Sequence, residues 1–190
     1  MITVNTTLTD EPRQFRAPQT MTPYELGDSL ARLVWESFTD FISQEDVETP
    51  LADIRTLYDD DRTNGRTAEE ALIFFMWAHT RGVQMAFLGR TPEALIREGL
   101  DALHGAVFED MVENGTQESQ LPLFEQHVSA RYAEYNQAAD QSGNKLGQAV
   151  ARHILDGVVR ATTAAAIQER AVAVAKPLKD FLEEVELIRA

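Results

Sequence analysis

The chain has 190 residues, 44% of them hydrophobic and 25% charged, which is ordinary for a soluble globular protein able to bury a core. Its formal charge of −14 repels nucleic acid and anionic lipid unless a basic patch is segregated, and the sequence shows none. It contains no cysteine, which excludes disulfides, thiolate catalysis and Cys-ligated zinc or iron–sulfur clusters and suits the cytoplasm.

The opening residues, MITVNTTLTDEPRQF, have neither a basic region nor an apolar one, so no secretory signal is expected. Residues 1–21 lack helical periodicity and carry Pro12 and Pro18. They are expected to form an extended N-terminal arm, with Ile2 and Val4 lying along the body or on a partner, ahead of a single helical domain over 22–190.

Thr22-Pro23-Tyr24-Glu25 is a helix start, with Thr at the cap, Pro at the first helical position and Glu three residues past the cap. Leu26, Leu30, Leu33, Val34, Phe38 and Phe41 then make one stripe to about Ile42. A shorter helix is expected from Thr49-Pro50 through Leu51, Ile54, Leu57 and Tyr58. The run Asp59-Asp60-Asp61 ends it, and Gly65 falls one place late for a calcium-binding EF-hand loop counted from Asp59.

The most apolar run, ALIFFMWAHTRGVQMAFL over Ala71–Leu88, defines a helix spanning 68–88, with Thr67 and Glu70 as capping box and Gly89 to close it. Leu72, Phe75, Met76, Val83 and Phe87 share one face, while Phe74, Trp77 and Met85 put apolar bulk on the others. A helix hydrophobic nearly all round must be surrounded, so this is the expected centre of a bundle. His79-Thr80-Arg81-Gly82 breaks it as a membrane span.

Thr91-Pro92-Glu93 starts the next helix, with Leu95 or Ile96, Leu100, Leu103, Val107 and Met111 buried. The short connection predicts that these two helices are antiparallel neighbours. Leu121, Phe124, Val128, Tyr132 and Tyr135 mark a fifth helix. From Asn144, the stripe Leu146, Val150, Ile154, Val158, Ala161 and Ala165 predicts one long helix to about Ala175, bent near Gly157. Pro177 is expected to interrupt before a last helix with Leu178, Phe181, Leu182 and Val185. The fold class is therefore all-α, a bundle of about seven helices around the central apolar one.

No phosphate-binding glycine loop, GxSxG elbow or HExxH pair is present, so the common nucleotide-binding, hydrolase and zinc-protease readings lack support. Four histidines, His79, His104, His127 and His153, occur one per helix. Bundle-core metal sites are assembled from facing helices in this way. A candidate metal set is His79, Asp101, His104 and His153, with Glu109 as a further carboxylate. Only Asp101-x-x-His104 approaches the Glu-x-x-His pattern of a di-iron centre. Asp101 and His104, with Glu98 near, also make a candidate acid–base pair.

The alternative is an apolar ligand pocket between helices, for which Phe75, Trp77, His79 and Arg81 are the candidate residues. Arg81 stands out in so apolar a helix and would meet a buried acid, an anionic ligand or solvent. The alanines 161, 164, 165 and 166 form a small-residue face that admits a close helix partner. The expectation is a cytoplasmic, non-catalytic binding or interaction protein, homodimeric, taking a small apolar ligand or a protein partner, with neither nucleic acid nor membrane. The alternative is a metal-dependent helical enzyme or metal-binding protein. The sequence names no cofactor.

Overall fold

The computed structural model describes residues 19–43, 64–155 and 159–189, which form an all-α bundle. In chain order come a short strand β1 (Gln19–Met21), α1 (Pro23–Ser43), α2 (Asn64–Phe87) and α3 (Glu93–Glu113). A single 3-10 turn (Glu118–Gln120) leads to α4 (Leu121–Ala139), α5 (Lys145–Leu155), α6 (Ala161–Leu182) and a second strand β2 (Val185–Leu187). Among the described residues there are six helices, and none is long and apolar enough to cross a membrane. The arm before residue 19, the short helix over Leu51–Tyr58, the Asp59–Asp61 run and the bend at Gly157 fall outside the described residues.

α2 is the centre of the bundle. Every residue from Ala71 to Thr80 is buried, and the helix touches all five others, most extensively α6. An amphipathic surface helix cannot bury all its faces; only a surrounded one can.

The first helix starts as its sequence dictates. The Thr22 amide and hydroxyl both donate to the Glu25 carboxylate, at 2.8 and 2.9 Å, and the Glu25 amide donates back to Thr22 Oγ1 at 3.2 Å. These bonds hold the Glu25 carboxyl below its usual range. The second capping box does not form. α2 begins four residues earlier than expected, at Asn64, so Thr67 lies inside it and donates to the Ile154 carbonyl at 3.3 Å. Glu70 is buried and accepts two bonds from Arg131 on α4, at 2.6 and 2.8 Å. At the next start Pro92, not Thr91, holds the cap position of α3. Gly89 closes α2 with φ +80°, as a residue without Cβ can.

Glycines decide which helices pack most closely. A Cβ on Gly27 would lie 2.7 Å from the Ala102 carbonyl carbon, so α1 and α3 cross almost backbone to backbone. Trp35 Nε1 ties the same pair by donating to Asp110 at 2.7 Å. α3 therefore packs mainly on α1 and touches α2 lightly, which corrects the expected weight of the α2–α3 pairing. A Cβ on Gly147 would lie 2.7 Å from the Ala164 carbonyl carbon, so α5 sits directly on the alanine face of α6. Ala164 is fully buried there, within one chain.

The C-terminal region differs from expectation in two ways. The stretch expected as one long helix is two, α5 and α6, which pack on each other. α6 then runs through Pro177 to Leu182, with Ala171 and Ala175 buried before the proline and Leu178 and Leu182 after it. Burial of that face offsets the amide hydrogen bond that proline cannot donate. Val185, expected in a final helix, instead begins β2, whose buried–exposed–buried pattern has the period of a strand. β2 pairs in parallel with β1, Gln19 to Val185 and Met21 to Leu187. Arg90, in the α2–α3 turn, fastens this end. It donates to the carbonyls of Ala86 (2.6 Å), Val185 (3.0 Å) and Leu182, and its guanidinium lies 4.6 Å from the centre of the Phe87 ring.

Candidate functional site

A cavity of about 420 Å³ opens between α1 and α6, with α2 beneath it. α1 contributes Leu33, Ser37 and Asp40, which recur every three or four residues and so share one helix face. α6 contributes Arg170, Ala173, Val174, Pro177, Leu178 and Phe181 by the same periodicity. His79 is the residue α2 presents. One turn further along α2, Gly82 lets α6 approach, since a Cβ there would stand 3.0 Å from both the Ala175 carbonyl and a Leu178 methyl. Leu33 and Phe181 are large apolar residues left exposed, and both border this cavity.

His79 is 3% exposed, and its Nδ1 lies 2.8 Å from the Phe75 carbonyl oxygen. A carbonyl only accepts, so Nδ1 carries the proton and Nε2 has the free lone pair. Burial holds the imidazole below its ordinary pKa, with the Phe75 carbonyl opposing, so the ring is neutral at pH 7. It is a hydrogen-bond acceptor in an apolar wall. Ser37 and Asp40 line the same cavity, yet the imidazole is oriented by a backbone carbonyl on its own helix rather than by a carboxylate. That arrangement departs from the orienting logic of a Ser-His-Asp nucleophile.

The other candidate ligand residues lie elsewhere. Phe75 is fully buried, 5.4 Å edge-on from the Phe41 ring and 5.1 Å from Phe74. Trp77 is buried too, and its Nε1 donates to Asn136 Oδ1 at 2.9 Å. Arg81 pairs with Asp140 across 3.3 Å at the surface and borders a separate groove between α2 and α3.

The histidines each find a different partner. His104 Nε2 is 3.0 Å from the Tyr132 hydroxyl, which is also 3.3 Å from Thr80 Oγ1. Burial lowers the His104 pKa despite the opposing charges of Asp101 and Glu125. His127 Nδ1 meets Glu69 at 2.6 Å, and His153 Nε2 meets Glu134 at 2.7 Å. Asp101 is exposed on α3. Among the described residues, no group of three or more His, Asp or Glu side chains is placed to hold a metal ion.

Sequence reading missed Leu33, Ser37, Asp40, Arg170 and Phe181. A signal was present, because Arg170, Val174, Pro177 and Phe181 fall on one helix face. It is legible only once Pro177 is read as lying inside the helix. A larger groove of about 680 Å³ lies between α3 and α4, with Glu109, Glu113, Glu118 and Glu125 around Phe108 and Leu121. Its polar groups are all on exposed carboxylates, whereas the α1–α6 cavity has a buried one. No known protein family matches this chain, and neither the curated proteins nor the solved structures contain a similar one.

Proposed function

We propose that this chain is a non-catalytic helical binding protein that takes a small, largely apolar ligand in the cavity over His79. The observation that carries the reading is the imidazole itself. It is buried and neutral, its Nδ1 is committed to Phe75, and its ring forms part of a wall whose apolar members are Leu33, Ala173, Val174, Pro177, Leu178 and Phe181, with Ser37, Asp40 and Arg170 as its other polar residues. A few placed polar groups in a mostly apolar concavity of a few hundred Å³ are what a small-molecule site requires. The lack of cysteine supports a working place in the cytoplasm.

The test uses the neutral probe 2-naphthol, followed by ligand-observed NMR. The expected result is saturable binding at one site, lost in Ala173→Trp, whose indole fills the cavity, while circular dichroism and thermal unfolding stay as in the parent. Unsaturable binding, or equal binding by Ala173→Trp, sinks the reading.

A second reading, an interaction protein that forms homodimers, has one observation in its favour. Met85 and Leu88 are 43% and 82% exposed and border the α2–α3 groove with Ile96 and Leu100. Of the alanine face that first suggested a dimer, Ala164 is buried under α5, while Ala161 is exposed. A monomer by light scattering at micromolar concentrations counts against this second reading.

A further inference from the structure

We propose that the His79 cavity takes a small zwitterion with an apolar side chain, of the kind an apolar α-amino acid presents. The inference rests on the binding reading above and adds the ligand's charge pattern.

Two charged groups line the cavity without a partner. Among the described residues, neither the Arg170 guanidinium nor the Asp40 carboxylate forms a hydrogen bond or an ion pair. Arg170 is only partly exposed, whereas Asp40 at the rim is exposed. Most partly buried charged side chains find a counter-ion in the fold, as Arg131 does in Glu70. Here the cation and the anion border one cavity and stay more than ion-pairing distance apart.

Two further groups in the cavity accept hydrogen bonds. One is His79 Nε2, left free because Nδ1 donates to Phe75. The other is the Ala173 carbonyl. Its usual helical partner is the amide four residues on, and that residue is Pro177, which has no N–H. Both Ala173 and Pro177 line the cavity. The polar inventory is thus one donor cation, one anion, two neutral acceptors and the Ser37 hydroxyl, which can donate or accept.

Elimination gives the ligand class. A simple carboxylate would suit Arg170 but meet Asp40 and the field of a molecule with formal charge −14. A simple amine would suit Asp40 and the acceptors but leave Arg170 unpaired. An uncharged ligand leaves both charges as they are. A zwitterion sets its carboxylate toward Arg170 and its ammonium, a donor only, toward Asp40, Nε2 and the carbonyl. Its apolar side chain lies on Leu33, Val174 and Phe181.

The experiment titrates the full chain with L-phenylalanine, 3-phenylpropionate and 2-phenylethylamine at about 150 mM salt, where exposed charges beyond ~8 Å are screened. These probes share a ring and differ in which charges they carry. L-Phenylalanine is expected to bind at one site about tenfold or more tighter than either analogue. Arg170→Gln should weaken L-phenylalanine and 3-phenylpropionate and spare 2-phenylethylamine; Asp40→Asn should weaken L-phenylalanine and 2-phenylethylamine and spare 3-phenylpropionate. Both positions lack partners, so both variants are expected to fold, with thermal unfolding as the check. If either analogue binds as tightly as L-phenylalanine, or if 2-naphthol binds and none of the three does, the zwitterion inference is overturned and the cavity reading stands. If 2-naphthol also fails, both fall.

Discussion

One substitution type, Gly→Ala within a helix, should change sign between two positions of this bundle. At Gly105 in α3 an added Cβ meets nothing within 4 Å. Replacing glycine in a helix interior by alanine then gains about 0.5–1 kcal/mol from the smaller loss of backbone freedom. At Gly147 in α5 the same methyl would lie 2.7 Å from the Ala164 carbonyl carbon and closer still to its oxygen. Reaching ordinary contact near 3.5 Å requires α5 and α6 to part by roughly 1 Å or more. The obstacle is backbone, which cannot swing aside as a side chain can. Overpacking of this sort costs about 1–3 kcal/mol, to which the Gly147 amide's bond to Gln168 Oε1 (3.2 Å) adds about 1 when strained. Subtracting the propensity gain leaves a net loss of about 1–3.5 kcal/mol. In a chain of this size each kcal/mol moves Tm by roughly 2–4 °C. Thermal unfolding should therefore show Gly147→Ala roughly 2–14 °C below the parent and Gly105→Ala roughly 1–4 °C above it. Urea titration should rank the variants the same way. A Gly147→Ala protein within a degree of the parent would refute the close crossing of α5 and α6.

Acid should weaken the fold through His79 and His104, whose pKa values burial holds down. The unfolded chain takes up these protons near pH 6.5 and the folded chain only below that. The stabilisation is therefore complete above about pH 6.5 and is lost as pH falls toward the lowered folded values. Urea midpoints between pH 7 and 5 should fall, and fall less steeply in a His79→Gln, His104→Gln double variant; an unchanged slope contradicts the burial argument. Glu70→Ala should cost about 3–5 kcal/mol, because it strands the Arg131 guanidinium, whose side chain is 17% exposed. Glu70→Leu combined with Arg131→Met should be more stable than either single variant, a cycle read by denaturant unfolding. Arg90→Ala removes a clasp of three carbonyls and should cost about 2 kcal/mol. Hydrogen exchange should quicken first at Val185–Leu187 while α2 stays protected; uniform acceleration across the chain would deny Arg90 its local role.

What the sequence made legible were features decided within a few residues or by a whole helix. The Thr22–Glu25 cap is a contact between residues three apart, and local chemistry predicts it outright. The all-round burial of α2 follows from apolar residues on every face. Features set by distant partners were not legible. Val185 continues a helical spacing from Leu178 and Leu182, yet its fate is set by Gln19 at the other end of the described chain. Glu70 fits a capping box by position and is taken instead by Arg131 on another helix. The histidine pattern told which helices carry imidazoles but not how those helices are ordered around α2, and that order gives each ring its own partner. Gly27 and Gly147 mark the closest crossings, and nothing in their neighbours' periodicity distinguishes them from Gly105.

The cavity depends on the residue where local reasoning failed most plainly. Pro177 was expected to end a helix; it lies inside α6 and takes away the amide that would have bonded the Ala173 carbonyl. If that carbonyl serves a ligand, restoring the amide should trade function for stability. Pro177→Ala completes the helical ladder, a gain of up to ~3 kcal/mol by propensity, of which about 1 is given back because the unfolded chain becomes freer. The net expectation is about 1–2 kcal/mol of added stability and a Tm higher by roughly 2–8 °C. L-Phenylalanine should bind more weakly to that variant, since an acceptor for the ammonium is then engaged within the helix. 2-Naphthol, which brings one hydroxyl and can use His79 Nε2, should bind as before. Greater stability with unchanged L-phenylalanine binding would show that the carbonyl plays no part in recognition. Lower stability would show that α6 is built around the proline's missing bond, so that Pro177 belongs to the packing of the bundle and not to its site.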